Sequence, residues 1–94
     1  MTSLLDSRFE IPEDVVYREI DGESVLLDLV SGEYYGLNEV GTRFWLLLVE
    51  HRQAGTVFEA LRQEYEVDED ELRGDLLGLL ERLLARGLIR IDGR

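Results

Sequence analysis

Four serines, one histidine and a run of four acids are the groups in this 94-residue chain that chemistry could use, and none stands in a pattern that catalysis needs. His51 has no thiol to activate, because the chain contains no cysteine, and it reads as a residue near a helix end. Ser3, Ser7, Ser24 and Ser31 fall in an N-terminal segment, at a strand start and in a turn, outside any strand-to-helix elbow that would expose a nucleophile. The run Asp68-Glu69-Asp70-Glu71 fails as a calcium loop, which would need an oxygen ligand where Leu72 stands and a glycine where Arg73 stands. Those acids suit instead the first turn of a helix, where the helix dipole favours negative charge. With no nucleophile, base and metal set, the chain reads as non-enzymatic, and no cofactor is implied.

Charge narrows the partners further. The formal net charge is -11, and the ten basic residues, all arginine, are scattered along the chain rather than gathered on one stretch. Nucleic acid and anionic membrane are bound through neutralised phosphates, so both are poor partners. The start Met1-Thr2-Ser3-Leu4-Leu5-Asp6 lacks the basic and apolar regions of a secretory signal, and no segment is apolar for long enough to span a bilayer, so a cytoplasmic domain is expected.

What remains is binding, and the stretch Val25-Leu26-Leu27-Asp28-Leu29-Val30-Ser31-Gly32-Glu33-Tyr34-Tyr35-Gly36-Leu37-Asn38 organises it. Two apolar runs flank Ser31-Gly32, which reads as a two-residue hairpin turn, and Asn38 is a good helix N-cap. That turn would set Leu29 opposite Tyr34, Asp28 opposite Tyr35 and Leu27 opposite Gly36. Val25, Leu27, Leu29, Tyr34 and Gly36 then share one face, and Leu26, Asp28, Tyr35 and Leu37 the other. A strand that runs straight into a helix leaves its far edge without an obvious partner, and such an edge can accept an extended peptide. Gly36 weakens a strand unless something must approach it closely or the strand must bend. For Tyr34, Tyr35 and the leucines discussed below, core packing is the competing explanation.

The remaining elements must position that edge. Residues 1–14 read as an arm with little structure of its own, followed by a domain over residues 15–91. Val15–Ile20 is a strand, Asp21-Gly22 a tight turn, and a second strand runs from Glu23 to Val30. From Glu39 to about Arg52, Val40, Phe44, Leu47 and Leu48 recur at helical spacing. Gln53-Ala54-Gly55 reads as the end of that helix, with Thr56 capping a second helix and Glu59 completing a capping box. Asp68 caps a third helix bearing Leu72, Leu76, Leu79 and Leu83 on one stripe and Leu77, Leu80 and Leu84 on the next; Gly87 stops it. Leu88–Ile91 is a short apolar tail. The expected class is α+β, winged helix-turn-helix-like: a three-stranded antiparallel sheet, three helices and a short C-terminal strand. A DNA-binding role for the second and third helices is opposed by charge, since residues 68 to 86 hold six acids against three arginines.

The block Tyr34-Tyr35-Gly36-Leu37-Asn38-Glu39-Val40-Gly41, followed by Phe44-Trp45-Leu46-Leu47-Leu48, Tyr65-x-Val67-Asp68, Asp75, Leu79-Leu80, Leu83 and Gly87-Leu88, resembles the PqqD-like family. The resemblance covers about Val15 to Ile91. It implies a recognition element for ribosomally made, modified peptides that binds a precursor's leader as an added strand against the third strand. On this chain the peptide backbone would pair with Glu33, Tyr34, Tyr35, Gly36 and Leu37. Its side chains would enter a groove walled by Leu72, Asp75, Leu76, Leu79 and Leu83. Asp75 would hold a polar or basic group, and Arg82 or Arg86 an acidic one. The chain looks most like the stand-alone leader-binding proteins of lasso peptide pathways. That implies two partners besides the leader: a transglutaminase-like cysteine leader peptidase and an asparagine-synthetase-like cyclase. Two alternatives stay open: a peptide chaperone for the radical enzyme of pyrroloquinoline quinone synthesis, and an acidic winged-helix regulator.

Overall fold

The computed structural model describes residues 4–92. A single 3-10 turn at Leu4–Asp6 leads into β1 (Phe9–Glu10), then β2 (Val15–Ile20), β3 (Glu23–Asp28), β4 (Tyr34–Leu37), α1 (Glu39–His51), α2 (Ala54–Glu64), α3 (Glu69–Ala85) and β5 (Arg90–Ile91). The protein is an α+β fold. Strands β2, β3 and β4 form an antiparallel sheet in that order, and β1 pairs with β5 in a separate two-stranded ribbon. Helix α1 packs on β3 and β4 and on α2, and α2 packs in turn on α3.

The turns explain the sheet. Asp21 and Gly22 both take positive φ, as a tight hairpin between right-twisted strands requires. The second hairpin departs from the expected two-residue turn. Asp28 Oδ1 accepts from the backbone N–H groups of Val30 at 2.9 Å and Ser31 at 3.3 Å, and Ser31 Oγ accepts from Glu33 N–H at 3.1 Å. The loop therefore spans Leu29 to Gly32 and closes on Asp28 and Glu33, whose N–H···O bond is 2.9 Å. Strand β3 ends at Asp28 rather than Val30, and Leu29 and Val30 are exposed. Tyr34 pairs with Leu27, Tyr35 with Leu26, Gly36 with Val25 and Leu37 with Ser24. The register has moved by two residues, an even number, so Val25, Leu27, Tyr34 and Gly36 still share a face.

Leu26, Leu37, Phe44, Leu48, Leu61, Leu80 and Leu83 belong to one buried core. The segment expected as a loose arm reaches it too. Phe9 is 1% exposed, and β1 meets the tail through Phe9 opposite Ile91 and Glu10 opposite Arg90. Residues 1–3 of that segment lie outside the described residues.

Caps define the helices. Asn38 Oδ1 accepts from Gly41 N–H at 2.8 Å, and Asp68 Oδ2 from Glu71 N–H at 2.9 Å. The second helix starts three residues earlier than a Thr56 cap predicts. Gln53 is its N-cap, and Gln53 Oε1 takes both the N–H and the hydroxyl of Thr56 at 2.8 and 2.9 Å. Helix α3 closes with Gly87 at φ 72°, its N–H on the Leu84 carbonyl and the Leu88 N–H on the Leu83 carbonyl. The bidentate pair Arg43–Glu64 ties α1 to α2, and the guanidinium holds the Glu64 carboxyl below its ordinary range.

One buried polar contact fixes how the sheet meets α1. Ser24 on β3 and Thr42 on α1 are both buried, and their hydroxyl oxygens lie 2.8 Å apart. Thr42→Val strands the Ser24 hydroxyl, at a cost of about 1–3 kcal/mol. Thermal unfolding should fall by about 4–8 °C per kcal/mol for a domain of this size, while Ser24→Ala with Thr42→Val recovers most of the loss. Asp28 makes a second test. The Val30 and Ser31 backbone N–H groups, Val30 foremost, hold its carboxyl below the usual aspartate range. Its stabilisation is therefore present above that range and lost as the pH falls through the depressed folded value. Asp28→Ala should lower Tm at neutral pH, and melts at stepwise lower pH should show the difference closing.

Candidate peptide-binding groove

Strand β4 is an edge. On one side it pairs with β3, and among the described residues no strand pairs with the other, because arm and tail pair with each other. Antiparallel ladders alternate bonded and non-bonded pairs, and the Asp28–Glu33 bond sets the phase. Tyr35 and Leu37 thus turn their backbone groups toward β3. Tyr34 and Gly36 present two N–H and two C=O groups on the vacant side.

Helix α3 stands off from β4 across a cleft of about 600 Å³. Leu37 (5% exposed), Leu72, Leu76 and Leu79 form its apolar floor and wall. Tyr35, Gly36, Asp75 and Arg82 also line it. Toward the start of β4 the cleft is bridged. Arg82 Nε donates to the Tyr35 hydroxyl at 2.7 Å, Arg86 donates to Glu33 Oε1 at 3.3 Å, and the Arg86 guanidinium lies 5.3 Å from the centre of the Tyr35 ring. These contacts run α3 antiparallel to β4, so Glu71 and Asp75 sit toward the Leu37 end and the arginines toward the Glu33 end.

Of the residues expected here, two lie elsewhere: Leu83 is 0% exposed and belongs to the core, and Glu33 precedes β4, accepts from Asp28 and touches Arg86 rather than the cleft. Tyr34 keeps its backbone on the vacant edge while its side chain lies on the outer face of the sheet, 67% exposed. Val40 and Phe44 of α1 and Tyr65 and Val67 before α3 line the cleft without having been anticipated. So do Gly74 and Gly78, which with Arg82 fall at every fourth position of α3 and leave a line bare of side chains along its groove side. Their signal was available, since a glycine inside a helix costs about 1 kcal/mol against alanine and so asks for a reason. His51 lies in the last turn of α1, away from the cleft, and among the described residues no cluster of His, Asp and Glu could hold a metal ion.

Residues 23–89 match the family model described as coenzyme PQQ synthesis protein D (PqqD). The chain belongs to the PqqD family. Two solved structures are similar to this member. TbiB1 in complex with the TbiA(beta) leader peptide is 38% identical, with 90% of this chain and 96% of that chain covered and a TM-score of 0.78. A lasso peptide synthetase B1 complexed with the leader peptide is 27% identical, with 89% and 99% covered and a TM-score of 0.77. Among curated proteins, none matches.

A Cβ built on Gly74 meets nothing within 4 Å, and one on Gly78 meets only the far end of Arg82 at 3.4 Å. Gly74→Ala and Gly78→Ala should therefore each stabilise the fold by about 0.5–1 kcal/mol, read as a rise in the urea midpoint with an unchanged slope.

Proposed function

We propose that this PqqD-family protein is a non-catalytic module that captures the leader of a precursor peptide as an added strand on β4. In this reading it delivers the precursor to a transglutaminase-like cysteine leader peptidase and an asparagine-synthetase-like cyclase in the cytoplasm. The observation that carries this is the vacant edge of β4 standing over a cleft floored by leucines. Both solved relatives carry a leader peptide, and one of them is a lasso peptide synthetase B1.

Magnitudes say what the leader must contain. The four backbone groups of Tyr34 and Gly36 contribute about 1 kcal/mol net each when paired. Ordering a flexible peptide and losing its free motion costs about 4–15 kcal/mol. Backbone pairing alone does not hold the peptide. Two or three apolar side chains seated against Leu37, Leu72, Leu76 and Leu79, at about 1.5–3 kcal/mol each, decide affinity and identity. Side chains alternate along a strand, so the leader residues opposite Tyr35 and Leu37 enter the cleft, two positions apart.

Charge orients the peptide and adds less. Asp75 and Arg82 are seven residues apart on α3, about 10 Å along its axis, which an extended chain spans in about three residues. A leader running antiparallel to β4 then carries its polar or basic residue before its acidic one, facing Asp75 and Arg82 in turn. Both side chains are exposed, so each contact is worth about 0–1 kcal/mol.

The family description favours one second reading, a peptide chaperone in pyrroloquinoline quinone synthesis. The two leader-bearing relatives, one of them a lasso peptide synthetase B1, favour the first. The net charge of -11 speaks against a nucleic-acid partner.

Fluorescence polarisation with the labelled leader of the precursor encoded beside this chain tests the proposal. Gly78→Leu fills the cleft from a half-buried helical position where the added Cβ meets only the far end of Arg82, and should abolish binding with Tm undiminished, whereas Asp75→Ala should weaken it only a few-fold. Wild-type protein that fails to bind, or Gly78→Leu that binds normally, contradicts the groove.

A further inference from the structure

Gly36 has no role that the unliganded fold explains. Its φ is not positive, so no left-handed backbone demands glycine there, and a Cβ at this position meets nothing within 4 Å. A glycine inside a strand costs stability through its entropy and its missing side chain. Here that cost falls on a four-residue edge strand, and nothing in the free protein offsets it.

The outer face of the sheet suggests what does. Gly36 continues a cross-strand row with Val25 and Arg18, and it lines an open hollow of about 730 Å³ on that face. Gly36 and Leu37 also line the cleft toward α3. The β4 edge thus divides two depressions, one on each side of the sheet. An added strand would send alternate side chains into each. The residue opposite Gly36 shares its outward face, because directly opposed residues in a sheet point the same way. With no Cβ on Gly36, a large side chain can cross the bare backbone and reach Val25, which is 44% exposed. Covering a strand glycine with a cross-strand aromatic is a known way to recover lost packing.

We propose that Gly36 is a specificity-determining residue forming an outward subsite, which takes one large apolar or aromatic side chain of the bound peptide, laid across Gly36 onto Val25. The inference rests on the strand-addition reading above and adds a third anchor to it. The leader's motif becomes three consecutive positions: an inward apolar residue, an outward large one and another inward apolar one. The inward pair selects for the leucine-floored cleft, and the outward residue selects for the absence of a side chain at position 36.

Gly36→Val and Gly36→Ala, combined with single substitutions along the same labelled leader peptide, test this. Both variants should keep or raise Tm, since the added atoms meet open space on a strand. Gly36→Val should weaken leader binding at least tenfold, and Gly36→Ala less. In wild-type protein, alanine at one leader position flanked by two groove anchors should cost at least tenfold. Against Gly36→Val the same leader change should cost little, because the slot it served is already filled. Wild-type protein that binds the leader, with Gly36→Val binding equally well, overturns the subsite and leaves strand addition standing. So does a weakening by Gly36→Val that is identical for every leader variant. No binding of the leader to wild-type protein overturns the strand-addition reading itself.

Discussion

Everything in this fold follows from where β4 is made to stop. Leu37 is buried, Asn38 caps α1 through its bond to the Gly41 N–H, and a Cβ on Gly41 would come within 3.2 Å of the Leu37 side chain. Gly41 packs closely on Leu37, and the Asn38 cap turns the chain out of the strand directly into the helix. The Ser24–Thr42 hydroxyl pair, buried and mutually satisfied, pins the same corner from β3. Strand β4 is left four residues long, paired on one side only. The tail that might have covered its other side is engaged with Phe9 and Glu10.

An exposed edge is ordinarily a hazard, and this one is managed rather than removed. It is short, it contains a glycine, and Arg82 and Arg86 reach over it from α3. The shortness limits backbone affinity to a few hydrogen bonds. In the proposed capture, selectivity comes from side-chain pockets on the two faces of the edge. The standing-off of α3 supplies the inner one, and the glycines at positions 74 and 78 keep it open at the expense of helix propensity. Stability has been spent along the same line where a ligand would lie.

Much of this was legible in the residues themselves. Strand β2, the Asp21-Gly22 turn, the Asn38 and Asp68 caps and the Gly87 stop are local devices, each set by side chains a few positions apart. The misreadings were competitions between local devices. Asp28 captures two backbone N–H groups and lengthens the hairpin loop that Ser31-Gly32 alone would have closed, and Gln53 caps the second helix by accepting from the N–H and hydroxyl of Thr56 itself, which draws Thr56 into the first turn. The β1–β5 ribbon joins two pairs of residues from opposite ends of the chain, and a two-residue strand has no periodicity to detect. The leucines of α3 announced a buried face, yet only packing shows that Leu76, Leu79 and Leu83 share one core and that Leu76 and Leu79 also border the cleft. Gly74 and Gly78 carry no apolar-spacing signal, because such spacing registers only side chains that are present.

The most direct measurement is amide hydrogen exchange across β4, with and without the precursor leader. Tyr35 and Leu37 are bonded to β3 and should be protected in both states. The amides of Tyr34 and Gly36, which face solvent in the free protein, should slow at least tenfold when the leader is bound. A leader that binds while those two amides exchange as before would contradict capture on this edge.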